Sequence, residues 1–219
     1  MIQLNSITKK FRGPKGEVIA LNDINMSLLP GELLVIRGPS GCGKSTLLYT
    51  AAGMLKPDKG EVLYRGEDNP YNYSPDRRSI LRAGFIGFVF QQFHLIPYLT
   101  VLENIMTPSL ALNRNNDRER AKELLIQFGL ESRADHLPGQ LSTGEKQRTA
   151  LGRALFNKPM VIMADEPTGN LDDENADIVL NHLKKYVKEG GAVLLVTHSK
   201  RAVEYATRTI NLMNGLILD

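Results

Sequence analysis

Gly38-Pro39-Ser40-Gly41-Cys42-Gly43-Lys44-Ser45 is the stretch that decides how the rest of the chain is read. It fits the pattern G-x-x-x-x-G-K-[ST] at every fixed position, and its flanks supply the context that gives the pattern meaning. Before it, Leu33-Leu34-Val35-Ile36 is a short continuous apolar run, as expected of a strand buried on both faces of a parallel sheet. After it, Leu47, Leu48, Ala51 and Ala52 fall on one helical face, with Gly53 as a stop. A strand, a glycine-rich turn and a helix N-terminus gather backbone N–H groups and partial positive charge around one point, which suits phosphate. Lys44 is predicted to hold the β- and γ-phosphates of a nucleotide, and Ser45 to give its hydroxyl to Mg²⁺.

Further along, Met160-Val161-Ile162-Met163-Ala164-Asp165-Glu166 ends a strand-like run with two carboxylates. In open α/β folds the carboxyl ends of parallel strands form the ligand crevice. Asp165 is therefore the candidate Mg²⁺ partner and Glu166 the candidate base for water, although two acids after a strand also suit a helix cap. His198 follows the buried-strand pattern 192–197 and is expected at the same sheet edge, either facing a γ-phosphate or as a hydrogen-bonded structural residue. Leu141-Ser142-Thr143-Gly144-Glu145 opens a helix with capping-box spacing between Ser142 and Glu145. It is equally a second anion site, and one nucleotide has no obvious need for two.

The remainder sets the class. The 219 residues are 42% hydrophobic with 19 glycines, enough for a globular core. No apolar run approaches the roughly 18 residues of a membrane span, and the first six residues suggest no export signal, so the cytoplasm is the expected address. One cysteine excludes an internal disulfide, and a net charge of +3 from 27 basic and 24 acidic residues does not call for nucleic acid. Alternation at Ile2, Leu4, Ile7 and across 18–29 predicts a β region punctuated by Gly13-Pro14 and Pro30-Gly31. The middle, about 75–156, reads as mostly helical: Ala121, Leu124, Leu125 and Phe128 form a core face after the polar run 113–120 and before Gly129. Beyond Lys158-Pro159, strand-like 160–164 and 192–197 flank a helical face of Ala176, Val179, Leu180, Leu183 and Val187 that stops at Gly190-Gly191. No internal repeat is present. The pattern predicts an α/β protein with crossover helices and a helical insertion.

With these motifs in order, the chain resembles the ATP-binding cassette (ABC) ATPases over essentially its whole length. Residues 38–45 look like Walker A, 160–165 like Walker B and 141–145 like the signature motif. Gln91 resembles the Q-loop glutamine, Gly169-Asn170-Leu171-Asp172 the D-loop, and His198 the switch histidine. The run 88–97 further resembles the lipoprotein-release, macrolide-export and bacitracin-resistance branch. The resemblance implies a P-loop NTPase fold with a mainly parallel core sheet, an N-terminal antiparallel β region and a helical signature subdomain. It implies one nucleotide-binding domain over 1–219, with a core of about 1–91 and 157–219 and a helical part of about 92–156. ATP and Mg²⁺ are the implied cofactors. Phe11, Gly38, Pro39, Ser40, Gly41, Cys42, Gly43, Lys44, Ser45 and Thr46 would contact nucleotide, joined across a head-to-tail homodimer by Ser142, Gly144 and Asp172. Ser45, Gln91 and Asp165 would serve the metal, while Glu166, His198, Lys44 and Gln91 would serve hydrolysis. Separate permease subunits would hold the protein at the inner membrane face, and nucleic acid is not an expected partner.

One departure and several open readings remain. The usual signature is Leu-Ser-Gly-Gly-Gln; here Thr143 replaces glycine and Glu145 replaces glutamine, so the β-branched Thr143 is expected to weaken the second ATP contact. Phe11 either stacks on adenine or belongs to the core. Phe93, Leu95, Ile96 and Tyr98 form either a permease-facing surface or a loop tucked into the helices. Arg77, Arg78 and Arg82 read as a solvated face or a partner contact, and His94, His136 and His182 as surface or packing residues. Cys42 lies beside Lys44 and a helix N-terminus, which favour a reactive thiolate, unless its sulfur turns inward. Rival functions are a soluble ABC ATPase acting on DNA or the ribosome and an inactive regulatory nucleotide module. The length leaves no room for the former's long insertions or second cassette, and Glu166 with His198 opposes the latter.

Overall fold

The computed structural model describes residues 1–13, 16–112 and 117–218. Pro14 of the expected Gly13-Pro14 turn and residues 113–116 of the expected polar run lie outside the described residues. In chain order, a ribbon of β1 (Ile2–Gly13) and β2 (Gly16–Leu28) leads to β3 (Leu33–Arg37), α1 (Lys44–Ala51) and β4 (Lys59–Tyr64). Next come α2 (Pro75–Phe85), β5 (Ile86–Val89), α3 (Val101–Met106), α4 (Arg118–Gln127) and α5 (Thr143–Leu155). The chain then alternates through β6 (Val161–Asp165), α6 (Asp173–Lys188), β7 (Ala192–Thr197) and α7 (Arg201–Tyr205), and closes with β8 (Arg208–Met213) and β9 (Leu216–Leu218).

Two sheets result. The antiparallel sheet has the order β2-β1-β4, and the central sheet β5-β6-β7-β3-β8-β9, in which only the last pairing is antiparallel. The apolar runs are continuous because both faces of the central sheet are covered. Leu34, Ile36, Met163, Leu194 and Val196 face α1 and the antiparallel sheet, whereas their neighbours Leu33, Val35, Ile162, Val193 and Leu195 face the helices α3 to α6. The predicted α4 face is buried, as is the face of α6. Each fully buried leucine or isoleucine contributes about 1.5–3 kcal/mol over its exposed state.

Two parts of the chain differ from expectation. The stretch 75–156, expected to be mostly helical, carries α2 to α5 joined by loops and short turns, and at Ile86–Val89 it forms an edge strand pairing β6 in parallel. Its four residues carry no period long enough to separate strand from helix. The β8–β9 hairpin also escaped the reading, although Asn214-Gly215 turns with φ 50° and 75°, the conformation that makes Asn-Gly a strong hairpin signal.

Candidate functional site

Four neighbouring parallel strands, β5, β6, β7 and β3, run their carboxyl ends to one edge, and the predicted site residues follow them. Gln91 lies two residues beyond β5, Asp165 ends β6 with Glu166 next, His198 follows β7, and residues 38–45 leave β3. This convergence depends on the strand order, because β3, β5, β6 and β7 are spread from residue 33 to residue 197 of the chain.

The glycine-rich loop is shaped by close packing. Gly43 precedes α1 with φ 110°, and a Cβ there would collide with the Ala20 carbonyl. Lys44 is buried, and its ammonium donates to the carbonyls of Gly38 at 2.8 Å and Pro39 at 3.0 Å. Pro39, Ser40, Gly41 and Ser45 are exposed, and Thr46 is half-buried. Cys42 differs from the reactive-thiolate expectation. Its side chain is 5% exposed and packs in the same core as Leu47 and Leu212, with its sulfur against Gly38 on the buried side of the loop.

Ser45 Oγ donates to Asp165 Oδ1 at 3.2 Å, and the Tyr49 hydroxyl donates to Oδ2 at 3.1 Å. Burial pushes the Asp165 carboxyl above its usual range, while these two donors pull it back. Burial, then the neighbouring carboxylate, raises the Tyr49 hydroxyl, so it stays a donor. Glu166 leaves the strand with φ 45°, uncommon for a residue with a Cβ. Its carboxylate accepts from Thr197 Oγ1 at 2.7 Å and the His198 N–H at 3.0 Å, and lies 2.8 Å from His198 Nδ1. Neither acid caps the following helix; Asp172 caps α6 by accepting from the Asn175 N–H at 2.8 Å.

Phe11 is 43% exposed and outside both cores, which removes the packing alternative. With Lys44, Ser45 and Thr46 it lines a hollow of about 220 Å³, and with Tyr49 and Phe90 one of about 470 Å³. Ser142 and Gly144 lie elsewhere. Ser142 caps α5 in a reciprocal box with Glu145, and among the described residues no hydrogen bond joins it to 38–46. The Arg133 guanidinium, then the Ser142 N–H, holds the Glu145 carboxyl down at about 2. Thr143 is the exposed first residue of this helix and is absent from the positive-φ residues, so its β-branch strains nothing. The expected weakening therefore has no backbone cause.

Of Phe93, Leu95, Ile96 and Tyr98, Tyr98 alone is exposed, at 78%. Phe93, Leu95 and Ile96 are half-buried, and the Ile96 N–H is bound to Asn104 Oδ1 at 2.8 Å. Arg78 and Arg82 are half-buried as well, Arg78 lying over Tyr71 and Arg82 reaching the Gly53 carbonyl, so the basic cluster is not simply a solvated face. His94 is exposed against Phe90, His136 is half-buried, and His182 packs on Phe128 with burial lowering its basicity. Sequence reasoning missed Tyr49, Thr197 and Asn175. Spacing carried a usable signal for two of them: Tyr49 is one helical turn after Ser45, and Asn175 stands three after Asp172.

Comparison with known proteins gives a consistent likeness. The profile of the family described as ABC transporter matches residues 21–169. An uncharacterized ABC transporter ATP-binding protein of Methanocaldococcus jannaschii is 43% identical, with 100% of this chain and 98% of that protein covered. The lipoprotein-releasing system ATP-binding protein of Paramagnetospirillum magneticum is 40% identical, covering 100% of this chain and 97% of its own. A dimeric ATP-binding cassette solved in a post-hydrolysis state with ADP and Pi superposes with a TM-score of 0.93 at 38% identity, over 100% of this chain and 97% of that one.

Proposed function

This chain belongs to the ABC transporter family as an ATP-hydrolysing subunit, and on that premise we propose that two copies close head to tail around two MgATP. Each nucleotide lies between residues 38–46 of one copy and Ser142 and Gly144 of the other. The observation that carries this reading is the separation of two helix N-termini within one chain. Ser45 meets Asp165, whereas Gly144 abuts Asn175 beside Asp172. A second phosphate-attracting terminus remote from the first is accounted for when a second copy brings its nucleotide there.

In this mechanism the Lys44 ammonium exchanges the Gly38 and Pro39 carbonyls for β- and γ-phosphate oxygens. The donor set beside it fits Mg²⁺: a hydroxyl and a carboxylate, both hard oxygen donors, converge at 3.2 Å, and this ion takes few protein ligands beside phosphate. Ser45 would ligate it directly, with Asp165 and Gln91 alongside; when bound it offsets charge on the phosphate oxygens. Glu166 takes the proton of the attacking water on its carboxylate. His198 keeps Nδ1 on Glu166, which leaves Nε2 for the γ-phosphate. Phe11 stacks on adenine.

No described helix is long and apolar enough to cross a membrane. From its family membership we assign the transport path and its cargo contacts to a separate permease, which would hold this subunit at the inner face of the membrane. ATP favours the closed dimer, and hydrolysis removes that differential binding, driving the permease in export, lipoprotein release or force transmission. The test is Glu166→Gln: ATP still binds, turnover nearly stops, and size-exclusion chromatography in ATP shows a persistent dimer. Turnover near that of the wild type would overturn the assignment of Glu166.

A further inference from the structure

Asp165 is 4% exposed, and among the described residues its carboxylate accepts two hydrogen bonds, both from α1. Ser45 holds Oδ1 and Tyr49 holds Oδ2. The two hydroxyls are four residues apart, so one helix face presents both to a single carboxylate. The ring of Tyr49 is itself fixed, tilted against Phe88 of β5 at 5.7 Å between centroids, and Phe88 lies 4.3 Å from Phe90. The hydroxyl is thus aimed by packing from the neighbouring strand. We infer that Tyr49 is a positioning residue for the metal site, locking the rotation of the Asp165 carboxylate so that Oδ1 stays turned toward Ser45.

This inference rests on the reading of Ser45 and Asp165 as the Mg²⁺ residues and deepens it. Once Ser45 turns its lone pairs to a metal, its hold on Asp165 changes, whereas the Tyr49 bond lies on the far oxygen and is retained. Tyr49 then supplies the constant restraint on a buried carboxylate that would otherwise rotate. Groups that orient ligands in this way typically change metal affinity by about 10–100-fold when removed. A competing role exists on the same side chain, since its ring lines the hollow shared with Phe11 and Phe90. That role predicts loss of nucleotide affinity with or without metal.

Tyr49→Phe separates the two, because it keeps the ring on Phe88 and removes only the hydroxyl. The full chain is titrated with ADP in EDTA, and the ADP complex is then titrated with Mn²⁺ followed by electron paramagnetic resonance. The expected result is unchanged ADP affinity in EDTA and Mn²⁺ affinity weakened roughly tenfold or more, with the thermal transition retained. Unchanged Mn²⁺ affinity, or an equal loss already present in EDTA, overturns the inference. Asp165→Asn and Ser45→Ala serve as controls. If they weaken Mn²⁺ binding and Tyr49→Phe does not, Tyr49 alone is wrongly assigned; if none of the three does, the metal reading of the site falls with it.

Discussion

The carboxamide of Asn175 occupies the space in which a Cβ on Gly144 would have to sit. Its nitrogen donates to both carboxylate oxygens of Asp172, at 3.0 and 2.9 Å, and its oxygen accepts from Arg148 at 3.0 Å. The start of α5 and the cap of α6 are therefore one packed unit. Gly144→Ala should destabilise the fold by about 1–3 kcal/mol through overpacking, although alanine is otherwise the better helix former. Adding Asn175→Ala should recover most of that loss, and a double-mutant cycle from urea unfolding measures the coupling. Simple additivity would show that the two side chains do not compete for space.

Cys42 tests which way the loop's only thiol points. With its sulfur in the core, maleimide should label the native protein at least about tenfold more slowly than the urea-unfolded chain, since access requires local opening. Fast labelling of native protein at one site would place the thiol at the loop surface instead.

Glu145 links the start of α5 to Arg133 through a 2.7 Å bond, and its carboxyl is depressed to about 2. A depressed carboxyl contributes stability above its unfolded value, near 4.3, and loses it as pH falls toward the folded value. Glu145→Gln keeps the capping-box geometry and removes the charge. The stability gap between wild type and variant should thus be fully present at pH 7, under about 1 kcal/mol because Arg133 is partly exposed, and should shrink between about pH 4.5 and 2. Urea titrations at pH 7 and pH 3 give the comparison; a gap that does not change would locate the effect outside the ion pair.

Phe11→Ala should leave the fold intact, since the ring is in neither core. Loss of adenine stacking at about 0.5–1.5 kcal/mol should weaken ATP binding about 2- to 13-fold, with inorganic triphosphate unaffected. Calorimetric titration of both ligands checks this, and equal weakening of both would assign Phe11 to the phosphate loop's shape rather than to the base.

Read from the chain alone, residues 38–45 with their flanks determined the strand, turn and helix of the phosphate loop, because glycine spacing and apolar period are local properties. The buried runs 33–36 and 192–197 announced two-sided burial in the same way. Tertiary structure decided what local pattern cannot encode. The order β5-β6-β7-β3 brings Gln91, Asp165, Glu166 and His198 to one edge from positions spread over more than a hundred residues. Cys42 shows the limit most plainly: its neighbours in sequence suggest a reactive thiolate, but the direction of its Cβ depends on the backbone torsions of the glycines around it and on Leu212, a distant core neighbour. Tyr49 and Asn175 likewise acquire their roles from partners, Asp165 and Gly144, that only packing makes adjacent. Short-range periodicity follows from the chain's own geometry, whereas the pairing of polar atoms follows from which buried groups folding leaves within reach of one another.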